Sequence, residues 1–96
     1  MTAPVAALGF TLYSRSYCHL CDDMLAALRG LLADQQIDPQ RVRIDVIDVD
    51  ADPALVARFD ELVPVLFGDP AAPELCHYFL DPAAVQRYLA EHALSK

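Results

Sequence analysis

Leu8-Gly9-Phe10-Thr11-Leu12-Tyr13-Ser14-Arg15-Ser16-Tyr17-Cys18-His19-Leu20-Cys21 is the stretch that decides the fold. Its first six residues are rich in strand formers and stop at the polar Ser14-Arg15-Ser16, so they read as a strand over 8–13. From Cys18 the period changes. Leu20, Met24, Ala27, Leu28, Leu31 and Leu32 recur at helical spacing and predict a helix to about Ala33 with that face buried. A strand running through a Cys-x-x-Cys pair into a helix opens a βαβ unit.

Outward from there the alternation continues. Arg41 to Val49 reads as a second strand, with Val42, Ile44, Val46 and Val49 set against Arg43, Asp45 and Asp48. Asp52-Pro53 is an N-cap followed by proline at the first helical position. A short helix to about Glu61 follows, turning Leu55, Val56 and Phe59 inward. Val63 to Phe67 is a third strand, ended by Gly68-Asp69-Pro70. Glu74 to Leu80 is a fourth, reached by a short antiparallel connection. Asp81-Pro82 repeats the capping pair and starts a last helix carrying Val85, Tyr88, Leu89 and Ala93 inward. The order β-α-β-α-β-β-α predicts an α/β protein built as a three-layer sandwich. Its 96 residues make one domain, 1–96.

Composition narrows the function. An apolar content of 55% argues for a packed globule rather than disorder. Seven basic against fourteen acidic residues, a net charge of −7, argue against nucleic acid and against an anionic membrane surface, both of which need clustered Lys and Arg. No run of 18 apolar residues is present to span a membrane. Met1 to Ala7 carries neither a positive cluster nor a long apolar run, so no secretory signal is expected, and the expected compartment is cytoplasmic. Three cysteines are too few for a disulfide framework, and two of them lie three residues apart. Without an export signal, that spacing points to redox chemistry or metal ligation.

The position of the pair gives its members different roles. A thiolate at a helix N-terminus gains from unpaired backbone N–H groups and the positive end of the helix dipole. The thiolate is the attacking species, so Cys18 is the expected nucleophile and Cys21, one turn into the helix, the resolving cysteine. A protonated His19 would favour the Cys18 thiolate, whereas Asp22 and Asp23 disfavour negative sulfur, which predicts a Cys18 of only moderate acidity. Cys76 reads as a buried free cysteine on the fourth strand, with His77 on the opposite side. Tyr13, Tyr78, Tyr88, Phe10, Phe59, Phe67 and Phe79 read mostly as core and rim.

The segment Leu12 to Cys21 resembles the first strand and active-site turn of glutaredoxins, and Leu62-Val63-Pro64 is similar to the Thr-Val-Pro before their third strand. The likeness spans nearly the whole chain and runs closest to small bacterial glutaredoxin-like proteins. It implies a thioredoxin-like α/β/α sandwich whose mixed four-stranded sheet has the order 2-1-3-4. It also implies thiol–disulfide oxidoreductase activity, a cis Pro64, and a Val63 backbone that pairs with an extended substrate beside Cys18. Arg15, Tyr17, His19, Val63 and Pro64 become the substrate-binding candidates, with Arg15 stabilising the thiolate or holding a substrate carboxylate. The chain departs from glutaredoxins in having His19-Leu20 inside the motif and Phe79-Leu80-Asp81-Pro82 in place of a paired glycine before the final helix.

The expected partners are a disulfide-bearing protein or a small thiol. No resident cofactor or metal is expected, glutathione is a candidate co-substrate, and glutathione or a thioredoxin-type reductase would restore the dithiol. The protein is expected to act as a monomer. Two other classes use the same residues. Cys18, Cys21, Cys76 and a histidine would make an N/S set acceptable to zinc, or the pair could carry an iron–sulfur cluster. The third class is a non-enzymatic interaction domain on the same fold.

Overall fold

A computed structural model describes residues 8–92, so the readings made of Met1 to Ala7 and of Ala93 lie outside it. The elements are β1 (Leu8–Ser14), α1 (His19–Asp34), β2 (Val42–Asp48), α2 (Pro53–Phe59), β3 (Val65–Phe67), β4 (Cys76–His77) and α3 (Pro82–Glu91), in the predicted order. Single 3₁₀ turns at Pro39–Arg41 and Val49–Ala51 flank β2.

The sheet order is β2-β1-β3-β4. β1 is parallel to β2 and antiparallel to β3, which is antiparallel to β4. One row of register partners crosses all four strands: Ile47, Tyr13, Val65 and His77. The segments after Ile47, Tyr13 and His77 and the segment before Val65 therefore leave the sheet at the same end. That end holds the cysteine pair.

Side chains alternate across each strand, and each face has its own core. Leu8, Phe10 and Leu12 of β1 and Leu66 of β3 pack with Met24, Leu28 and Leu32 of α1 and with Val85, Tyr88 and Leu89 of α3. On the other face Val65 and Phe67 pack with Val49 and Phe59, and Tyr13 stacks on Phe59 with ring centroids 4.4 Å apart. Helices α1 and α3 thus cover one face and α2 the other, which makes the three layers.

Four local expectations change. The buried stripe of α1 is Cys21, Met24, Leu28 and Leu32, which leaves Ala27 exposed and places Cys21 in the core. Val46 is half exposed because β2 is an edge strand; near its end Val46 borders an open cleft with Ser14, Arg15, Ser16 and Asp48. Helix α2 stops at Phe59 rather than near Glu61, where the chain tightens as Leu62 N–H donates three residues back to the Phe59 carbonyl. β3 and β4 are shorter than the apolar runs suggested. Pro64 has no N–H to give to a ladder, and Tyr78 turns into the left-handed region at φ 64°, ending β4 after two residues.

Both Asp-Pro pairs do what the sequence predicts. The Asp52 carboxylate accepts from Ala54 N–H at 2.9 Å, and that of Asp81 accepts from Ala83 and Ala84 at 3.1 and 3.3 Å. Replacing Asp81 with alanine orphans two donors at the start of α3 and is expected to cost about 0.5–2 kcal/mol, read as a lower thermal midpoint.

Candidate active site

The cysteine pair lies where β1 hands over to α1. Cys18 is the N-cap, extended at φ −113° and ψ 103°; its carbonyl accepts Asp22 N–H at 3.2 Å and its Sγ accepts Cys21 N–H at 3.1 Å. Its sulfur therefore occupies the place that a serine or aspartate oxygen takes at other helix starts. Cys18 is half-buried, whereas Cys21 is 2% exposed as the first member of the α1 stripe. The two are joined as a disulfide with Cα atoms 5.2 Å apart.

Tyr17 and His19 flank Cys18 and are both exposed, Tyr17 fully. Tyr17 sits at φ 59°, a left-handed conformation that costs a non-glycine residue on the order of 1–3 kcal/mol unless its surroundings hold it there.

Two residues earlier, Arg15 is bound by acids from two other segments. Its Nε and Nη2 donate to the two Asp50 carboxylate oxygens at 3.3 and 2.8 Å, Nη2 also to Asp60 Oδ1 at 2.9 Å, and Nη1 to the Asp60 carbonyl at 3.2 Å. This clamp ties the turn before Cys18 to the loop after β2 and to the end of α2. Hydrogen bonds to Asp50 and then Asp60 raise the guanidinium above its ordinary pKa, so it stays charged. Sequence reasoning did not name Asp50 or Asp60. The only hint was the run of acids from Asp48 to Asp52, and nothing local says which of them meets an arginine 35 residues away.

On the other side of the site the Val63–Pro64 peptide bond is cis. The Val63 N–H is spent on Phe59 O at 3.2 Å, and no donor among the described residues reaches the Val63 carbonyl. Tyr78 is bound to this loop twice, its N–H donating to Pro64 O at 2.9 Å and its hydroxyl to Glu61 O at 2.6 Å. Phe79 N–H donates to His77 O at 2.7 Å, closing a three-residue γ-turn about Tyr78 at φ 64°, a rare and strained form. The turn throws Phe79 outward to 70% exposure. Tyr78 and Phe79 are thus exposed at the cysteine end of the sheet rather than in the core or rim. A γ-turn at a tyrosine carries no glycine or asparagine signature, which is why the sequence hid it.

Cys76 is half-buried on the face packed by the larger core, and His77 is exposed, its Nδ1 2.6 Å from a Glu74 carboxylate oxygen. Burial pushes the Cys76 thiol up, against a hydrogen bond from the Asp81 backbone that lowers it. A thiol whose pKa is raised on folding contributes stability that is complete below the unfolded value, about 8.5, and is lost as pH rises beyond it. Stability of the wild type is expected to fall from pH 8 to 10 more steeply than that of Cys76→Ala, measured by denaturant midpoints across that range. Among the described residues no three His, Cys, Asp or Glu side chains gather in a metal-binding arrangement, and no helix is long and apolar enough to cross a membrane.

The geometry agrees with what other proteins share with this chain. The family model described as Glutaredoxin-like domain (DUF836) matches residues 10–90. The solution structure of protein Ne2328 from Nitrosomonas europaea is similar at 35% identity and TM-score 0.71, over 92% of this chain and 98% of that one. Protein XcR50 from X. campestris is similar at 29% identity and TM-score 0.58, over 85% and 96%. Thioredoxin 1 from Thermosipho africanus TCF52B, at 19% identity and TM-score 0.54 over 88% and 98%, shares the fold alone. No curated protein matches the chain.

Proposed function

This chain belongs to the Glutaredoxin-like domain family and has a thioredoxin-like fold, and from that membership we propose that it is a thiol–disulfide oxidoreductase whose Cys18 and Cys21 form a reversible dithiol–disulfide couple. The observation that carries this reading is the N-cap sulfur: Cys18 Sγ takes a backbone N–H of α1 while bonded to the buried Cys21. Backbone donors and the helix dipole that meet sulfur there favour its anionic form once the bridge is reduced.

In the reduced protein the Cys18 thiolate attacks one sulfur of a substrate disulfide. A Cys18–substrate bond forms, the substrate disulfide breaks, and one substrate thiolate leaves and takes a proton from solvent. Cys21 then loses its proton and attacks Cys18 Sγ, releasing the second substrate thiol and closing the Cys18–Cys21 bridge. Two electrons pass from the protein to the substrate. An external thiol reductant, glutathione or a dithiol reductase, returns them. Half-burial of Cys18 supports its role as the attacking sulfur, and full burial of Cys21 supports a partner that reacts only within the molecule. Arg15, paired with Asp50 and Asp60, acts by holding the turn of Tyr17 and Cys18.

Equilibration in graded glutathione buffers, followed by acid quenching, alkylation and intact-mass analysis, tests the reading. The expected result is a reversible loss of two hydrogens that maps to Cys18 and Cys21 and titrates as one two-electron couple. Thiols that stay reduced across the whole range, with zinc retained through purification, would overturn it in favour of a metal-binding module.

A further inference from the structure

Two aromatic side chains at the end of the sheet that holds the sulfur pair stand out in solvent, and a fold that gained from burying them would do the reverse. Tyr17 precedes Cys18, fully exposed on a left-handed backbone. Phe79 stands at the same end of the sheet, presented by the γ-turn at Tyr78, which is itself bonded to Pro64 and Glu61. Register brings both to one end of the sheet, since Tyr13, Val65 and His77 lie in one row and these segments continue from it on the same side. The Val63 carbonyl, at the same end, takes no donor among the described residues.

The charge at this end is negative. Asp22 and Asp23 follow Cys21 on exposed positions of α1, Asp60 and Glu61 are exposed before the Val63–Pro64 loop, and Asp50 lies across from Asp60. Arg15, the cation expected to hold a substrate carboxylate, already gives four hydrogen bonds to Asp50 and Asp60. Glutathione brings two carboxylates against one ammonium and meets a site with its nearest guanidinium occupied and acids around it. An extended polypeptide offers a backbone N–H to Val63, apolar side chains to the aromatic walls, and positive charge to the acids.

We propose that Tyr17 and Phe79 are specificity residues, and that they select disulfides carried on apolar, positively charged polypeptide segments over glutathione. This rests on the exchange reading given above and names the substrate class for the same site.

The test is single-turnover oxidation of the reduced full-length protein, with Cys18–Cys21 bridge formation followed by acid quench and mass. Wild type, Tyr17→Ser and Phe79→Ser each meet four probes: bis(2-hydroxyethyl) disulfide, a cystine-linked peptide flanked by Leu and Lys, the same peptide with Glu for Lys, and oxidised glutathione. The wild type is expected to react about ten-fold faster with the Leu–Lys peptide than with its Glu counterpart or glutathione, a gap that narrows with added salt. Each serine variant is expected to slow the Leu–Lys peptide about ten-fold, the loss typical of an aromatic anchor, and to slow the hydroxyethyl disulfide far less. Equal wild-type rates on the two peptides and glutathione, or serine variants that slow every probe alike, would overturn the proposal. A wild type that fails on hydroxyethyl disulfide as well would show that the exchange reading itself is wrong, and this inference would fall with it.

Discussion

Cys18→Ser is expected to bring disulfide reduction down to the rate of the uncatalysed reaction, a loss on the order of 10³-fold or more, because no other group supplies the attacking sulfur. Cys21 does not substitute for it: at 2% exposure it lies in the α1 core stripe, out of reach of a substrate sulfur. The free thiol at Cys76 lies on the core-packed face, with its pKa raised by burial, and is poorly placed and poorly ionised for the task. Cys21→Ser should separate the two steps. The first attack proceeds, no thiol resolves it, and the mixed disulfide accumulates as a mass increase equal to one substrate half on Cys18. Stopped turnover in both variants with the adduct only in Cys21→Ser is the expected pattern, read by coupled assay and intact mass. An adduct on Cys21 in Cys18→Ser would reverse the roles, and full turnover in both would end the redox reading.

Gly68→Ala is expected to be the most damaging small substitution outside the site. A Cβ at position 68 would stand 2.5–2.7 Å from three ring atoms of Tyr88, closer than real atoms approach. The ring has little freedom to yield. It packs edge-on against Phe10 at 5.2 Å, its hydroxyl donates to Gly9 O at 2.9 Å, and it belongs to the core between β1 and α3. Forcing one methyl into such a core costs about 1–3 kcal/mol. In a domain of this size that is roughly a 5–20 °C fall in thermal midpoint. Loss of the Tyr88–Gly9 hydrogen bond adds to it. Tyr88→Leu in the same background opens the space and is expected to recover part of the midpoint, which a backbone effect at Gly68 would not allow.

The fold was legible because its signals are local and repeated. Strand formers before Ser14, the helical stripe after Cys18 and two Asp-Pro caps each act within a few residues, and all four elements stand where those signals put them. The same locality made the cysteine pair legible, since an N-cap and the residue one turn later follow from chain order. Signals that depend on distant partners were not. Ala27 matched the helical period yet faces solvent, because which stripe a helix buries depends on where its neighbours lie. Tyr78 and Phe79 lay in an apolar run that reads as strand, but two hydrogen bonds from Tyr78 to the Pro64 loop bent the backbone out of it.

By itself, then, the sequence determined the element order, the helix starts and the place of both sulfurs at the head of α1, because capping, propensity and periodicity are properties of neighbours along the chain. Only the tertiary structure decided that Arg15 is held by Asp50 and Asp60, that Gly68 makes room for Tyr88, and that Tyr17 and Phe79 stand exposed at the end of the sheet that holds Cys18. Those facts depend on which residues meet across dozens of intervening positions, and hydrogen bonds, close packing and charge act through space rather than along the chain.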